Sequence, residues 1–276
     1  MPRKLRYSLD MNSARPNSLR RLPHRLATKT LILGASVLLM LGALLPGASS
    51  TSAQGSFCTL ALVLAVDVSG SVDSEEYALQ MGGLADAFRT EDIIAAIDTG
   101  GASGIYVTVA QWSGAGRHEQ IIPWRWLNDR SSVAAFANEI DIQQRAFRIY
   151  STGIGEALAF AWSLFAGEPN GCARRVVDVS GDGPSNEGRE PGLVRSLMVA
   201  EGITINGLAI LESEPGLRTY YRGNVAGGAG SFVVPADTFE DYPRAIKRKL
   251  LREILPAITL NSAPTSLTPP ASHAVR

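Results

Sequence analysis

Where the stretch VLAVDVSGSVDSEE (Val63–Glu76) leaves its apolar run, it sets Asp67, Ser69 and Ser71 at alternate positions around Gly70. One tight turn thus offers a carboxylate and two hydroxyls. A second apolar run, RRVVDVSGDG (174–183), ends with Asp182 between Gly181 and Gly183, and YSTGIGEAL places Thr152 where a loop enters an apolar helical pattern. All five side chains are hard oxygen donors, with no His or Cys among them, a set that suits Mg²⁺ or Mn²⁺ better than zinc. Only two are charged, so an ion held by them would keep waters and stay electrophilic towards a carboxylate from outside. Each feature also has a plainer reading. Asp67 and its serines could form a strand-end turn closed by an Asx-type hydrogen bond, Asp182 could belong to a simple glycine turn, and Thr152 could cap a helix.

The elements that would position these residues alternate between two periods. The run 58–69, CTLALVLAVDVS, is nearly continuous in apolar residues, as in a strand buried on both faces. Asp73 and Ser74 are N-cap candidates for a helix whose stripe is Tyr77, Met81, Leu84 and Phe88. A short helix over 91–98 and a strand over 104–113 follow. The segment 119–128, EQIIPWRWLN, is strand-like, but Pro123 has no N–H for a ladder, which assigns it to an edge. Helical patterns occupy 129–144, 153–167, 192–202 and 237–254, and strand patterns occupy 174–183, 203–211 and 230–236. Such alternation predicts an α/β fold: a doubly wound, mostly parallel sheet with helices on both faces. In sheets of this kind, sites form at the carboxyl ends of the strands, where both aspartates fall.

The first 53 residues carry eight Lys/Arg and one acid, Asp10, followed by an apolar run from Leu31 to Leu45, Pro46, and small residues that include Thr51 and Ala53. A basic region, a short apolar region and a small-residue exit read as a secretory signal peptide over 1–53; an uncleaved anchor is the alternative. Of 26 basic and 26 acidic residues, 18 and 25 remain from Gln54 onward. That net negative balance argues against a nucleic-acid partner, and against a membrane partner once the leader is cleaved. Residues 54–256 make one domain, and the Pro/Ser/Thr-rich segment 257–276 reads as a disordered tail. The expected location is exported, periplasmic or secreted. There the two cysteines, Cys58 and Cys172, favour a disulfide over free thiols.

Other chemistries lack essential residues. A calcium loop starting at Asp178 would need a Glu at its twelfth position, where Arg189 stands. An aspartyl-phosphate loop starting at Asp67 would call for a second acid at Ser69. Beyond the leader the histidines are His118 and His273, neither near a nucleophile motif, and His118 reads as a surface residue. The basic run Arg244, Lys247, Arg248, Lys249 and Arg252 reads as the solvated face of the last helix. Trp112, Trp124 and Trp126 read as packing residues.

DVSGS, then Thr152 three residues before the Gly that opens an apolar helix, then SGDG after a strand: together these resemble the three segments of the metal-ion-dependent adhesion site of a von Willebrand factor type A domain. The resemblance spans about Cys58 to Ile254 and is closest to an exported bacterial single-domain subgroup of unassigned function. It implies six strands in the order 3-2-1-4-5-6, with the third antiparallel at an edge. It departs from the usual pattern at Tyr150 and Ser151, where many relatives have glycines, and at Gly181, where many have Thr. The function implied is a non-enzymatic, exported module that uses Mg²⁺ or Mn²⁺ at Asp67, Ser69, Ser71, Thr152 and Asp182 to capture a protein ligand offering a carboxylate. A metal-dependent hydrolase and a scaffold subunit with a structural metal are the alternatives. The same strand order makes the strands of Cys58 and Cys172 adjacent and parallel. With both aspartates at one metal, the cysteines meet at the opposite end and are expected to pair.

Overall fold

The alternation along the first strand decides the layering of the molecule. In the computed structural model, which describes residues 57–98, 103–148, 151–169 and 171–255, β1 spans Phe57–Asp67. Its Leu60, Leu62, Leu64 and Val66 enter one core, while Val63 and Ala65 enter another on the opposite face. Successive side chains point to opposite faces of a sheet, so an unbroken apolar run is what a strand needs when both faces are covered. The leader, its cleavage point and the tail lie outside the described residues. No described helix is long and apolar enough to cross a membrane.

The remaining strands are β2 (Ser103–Trp112), β3 (His118–Leu127), β4 (Arg175–Gly181), β5 (Ile203–Ile210) and β6 (Val233–Ala236). The sheet order is β3-β2-β1-β4-β5-β6, all parallel except β3, which runs antiparallel on the edge. The expected six-stranded, doubly wound topology is therefore the observed one. Beside Pro123 the β2–β3 ladder shifts register between Val107 and Val109, in keeping with an interruption on an edge strand. On one face lie α1 (Ser74–Arg89), α2 (Glu91–Ile97), α3 (Arg130–Asp141) and α7 (Tyr242–Ile254); on the other lie α4 (Ile154–Leu164), α5 (Pro191–Ala200) and α6 (Leu217–Asn224). Asp73 caps α1 in a capping box with Glu76, as the cap signal predicted.

Four sequence expectations change. The helix α6 was not anticipated, because its segment LRTYYRGN buries only Leu217 and Tyr221, two positions one turn apart. The last helix starts at Tyr242 rather than 237. His118 is half-buried, its ring 4.3 Å from that of Phe160. Lys249 is not on a solvated face: it is fully buried, with Nζ 2.6 Å from Asp178 Oδ2 and 2.6 Å from Glu253 Oε1. Asn206 donates to the same Glu253 oxygen at 2.8 Å. The ammonium is tolerated there because two carboxylates replace its hydration. The tryptophans do pack: Trp112 is buried, Trp124 donates to the Leu164 carbonyl, and Trp126 lies against Tyr106.

Register carries the cysteines together. Ala61 pairs with Arg175 across β1 and β4, and three residues back on each chain Cys58 and Cys172 are joined, with Cα atoms 4.7 Å apart. The Glu168 carboxylate lies beside them, 3.1 Å from the Cys172 sulfur. The three side chains lie at metal-ligand spacing, but sulfurs bonded to each other are not thiolate ligands.

Candidate metal centre

Because Val66 stands opposite Ser180 in the parallel β1–β4 pair, the two strands finish at one level, and Asp67 and Asp182 emerge side by side. Asp67 is fully buried and its Oδ1 accepts the Ser69 backbone N–H at 2.8 Å, which winds the chain into the turn that follows. Ser69 Oγ then lies 3.3 Å from Ser71 Oγ and 3.4 Å from Thr152 Oγ1, and Ser71 donates to Asp182 Oδ1 at 2.9 Å. All five residues singled out from sequence thus stand in one connected cluster. Ser71 is exposed, and the other four are buried. The Asx-type turn at Asp67 is present too, so the plainer reading of that loop and the metal reading are not exclusive. Thr152 does not cap α4; the N-cap position is Gly153.

Electrostatics favour a cation here. Burial, and then the neighbouring charge of Asp182, push Asp67 up to about 8. Burial likewise raises Asp182, although the Ser71 hydrogen bond offsets part of it. Asp67 Oδ2 is buried and has no hydrogen-bond partner. A carboxylate oxygen removed from water and left unpaired is costly, and a divalent ion is a partner that would restore it. The donor set and this orphaned oxygen both fit Mg²⁺ or Mn²⁺.

Several supporting residues were not visible in the sequence. Arg145 donates from Nη2 to the carbonyls of Val68 (3.1 Å) and Ser69 (2.7 Å), clamping the first loop from the α3–α4 connection. Asn186 brackets Thr152, accepting its N–H at 2.9 Å and donating its own backbone N–H to its carbonyl at 2.9 Å. Ser185 accepts the N–H of Ile154. Beyond these, Gly155 lets the start of α4 meet the β4–α5 loop, since a Cβ there would stand 2.1 Å from the Arg189 carbonyl oxygen. No spacing rule signals Arg145 or Asn186, because their partners are backbone atoms remote in sequence.

The departure at Gly181 has a physical cause. A Cβ on residue 181 would sit 2.6 Å from the Tyr221 hydroxyl and 2.8 Å from Asp67 Oδ2. Tyr221, from the unanticipated α6, is fully buried and its hydroxyl has no hydrogen-bond partner. It occupies the room that a larger residue at 181 would need.

A family model described as "Protein of unknown function (DUF1194)" matches residues 57–258. The chain belongs to this family. No curated protein matches it by sequence. Among solved structures, this DUF1194 chain resembles proximal thread matrix protein 1 from the mussel byssus in a form with a zinc-occupied MIDAS motif, at 22% identity and TM-score 0.50, covering 71% of this chain and 45% of that one. It also resembles a von Willebrand factor type A protein from Catenulispora acidiphila, at 16% identity and TM-score 0.53, covering 71% and 43%. A third likeness is to the vWF domain of the type V pili tip protein Mfa5 from Porphyromonas gingivalis, at 8% identity and TM-score 0.50, covering 73% and 98%. The chain spans less than half the length of the first two. Its fold is that of a von Willebrand factor type A domain.

Proposed function

We propose that the chain is an exported, divalent-metal-dependent protein-binding module, and that its ligand is an acidic group of a partner protein. The observation carrying this reading is the convergence of five oxygen-bearing residues from three loops into one connected cluster, in which Asp67 keeps a buried, unpartnered Oδ2. Asp67, Ser69, Ser71 and Thr152 would hold Mg²⁺ or Mn²⁺ directly or through water, with Asp182 acting mainly through water. When bound, the ion supplies a positive charge with an open position for a carboxylate. The chain's own residues do the rest: Arg145 and Asn186 fix the loops, and burial keeps bulk water from screening the site. The resemblance to a pilus-tip domain and to a byssus matrix protein supports adhesion over catalysis. No described histidine adjoins the cluster to serve as a general base. The disulfide supports an oxidising compartment and agrees with a cleaved leader over residues 1–53.

Isothermal titration of Mg²⁺ and Mn²⁺ tests the site, and capture of envelope proteins with and without EDTA tests the function. Binding that Asp67→Ala abolishes, together with EDTA-sensitive capture, is expected. Metal binding without any metal-dependent capture would leave a structural ion, and turnover on a panel of esters and phosphates would make the chain a hydrolase.

A further inference from the structure

Two cavities meet where the amino ends of β4 and β5 pass into the β6 edge. The larger, about 1110 Å³, opens along the outward face of α7 and the amino ends of β4 and β5; its apolar wall includes Val176, Phe232, Leu251 and Leu255. The smaller, about 360 Å³, is walled by Arg218, Arg222 and Arg252 with Ser231 and Phe232, and no carboxylate lines it. Phe232 and Arg252 belong to both walls, and the Arg252 guanidinium lies over the Phe232 ring, 3.8 Å from its centroid.

Most other cations around the larger cavity are already engaged. Arg174 donates to the last carbonyls of α7, Lys247 pairs with Asp92, and Arg244 pairs with Asp241. Arg218, Arg222 and Arg252 have no carboxylate partner among the described residues. The concentration is notable in a chain that carries 18 basic against 25 acidic residues from Gln54 onward. Outside the described residues, 256–276 contain no Asp or Glu and the first 53 contain one.

We propose that this double cavity binds an anionic amphiphile, a phosphate ester with an acyl or aryl body. Its phosphate oxygens sit among Arg218, Arg222 and Arg252, whose planar forks match phosphate in a bidentate way. Its apolar body lies along Phe232, Leu251 and Leu255. The larger cavity, at about 1110 Å³, exceeds the roughly 300–1,000 Å³ of typical small-ligand sites, so a head group alone would leave it unfilled. The cavities share no lining residue with the metal cluster.

The test is titration of the full chain, in EDTA to silence the metal site, with soluble dihexanoyl phosphatidic acid. Dihexanoyl phosphatidylcholine, inorganic phosphate and polyglutamate serve as comparisons. Saturable binding of the phosphatidic acid is expected, at least tenfold tighter than either phosphatidylcholine or phosphate. Arg218→Gln/Arg222→Gln, two exposed positions, should weaken it at least tenfold while leaving Mg²⁺ titration and the unfolding midpoint unchanged. Phosphatidic acid vesicles run in parallel distinguish the source: soluble binding assigns a free amphiphile, whereas vesicle binding alone assigns a membrane head group, and either result supports the site. Binding to neither, equal binding by the double variant, phosphate alone binding as tightly, or tighter binding of polyglutamate each overturns it.

Discussion

Ser71 donates its hydroxyl proton to Asp182 Oδ1 at 2.9 Å, joining two loops separated by 111 residues of sequence. The bond links the first turn to the end of β4, so the chain's own hydrogen bonding holds part of the geometry. Such pre-organisation spares an incoming ion the cost of ordering loops.

Ser71→Ala should therefore keep the fold yet bind Mg²⁺ more weakly. It removes one donor oxygen and frees the Asp182 carboxylate, and a loss of roughly 10- to 100-fold in affinity is expected. Isothermal titration against the parent protein reads it. Affinity equal to the parent's would remove Ser71 from the site.

Stability of the metal-free protein should depend on pH through Asp67. Its carboxyl is raised from 3.8 to about 8 in the fold, so between these values the folded chain holds a proton that the unfolded chain has released. Stability is then highest below about 4 and declines as pH rises towards 8, by at most about 1.4 kcal/mol per pH unit for one group. Asp67→Asn should flatten the decline. Added Mg²⁺ should oppose it, contributing about 2.7 kcal/mol at a hundredfold excess over the dissociation constant. Urea unfolding at pH 5, 6.5 and 8 measures all three.

Gly181→Thr should be harmful here, even though threonine is common at that position in similar domains. The new side chain would meet the Tyr221 hydroxyl, and overpacking of this kind costs about 1–3 kcal/mol. Removing the hydroxyl with Tyr221→Phe should recover part of the loss. A double-mutant cycle in chemical denaturation gives the coupling, and additivity would separate the two residues.

Lys249→Met should lower stability by about 3–5 kcal/mol, because Asp178 and Glu253 would be left buried without their cation. A loss below about 1 kcal/mol would mean that the buried cation contributes little to the fold, and a calorimetric melt distinguishes these outcomes.

How far the fold could be read depended on how much of each segment is buried. β1 declares itself because both of its faces are covered, so nearly every side chain is apolar. α6 does not, because it buries only Leu217 and Tyr221. Lys249 was misread for a related reason: on a helix with five cations, only the partner strand tells which one points inward. The cluster residues were legible because each lies within a few positions of a strand or helix end. Arg145 and Asn186 reach the same place through backbone partners that no local pattern announces.

The disulfide between Cys58 and Cys172 has a mechanical consequence. It staples β1 to β4 at the end away from Asp67 and Asp182. A pull applied between the amino-terminal end of β1 and the metal end would load β1 lengthwise, in shear against both neighbours. Sliding β1 past β4 would then require stretching a covalent bond as well as breaking a ladder of hydrogen bonds. Held at constant force, the oxidised protein should outlast the reduced one, and the site should fail by releasing its partner before the strand is drawn out.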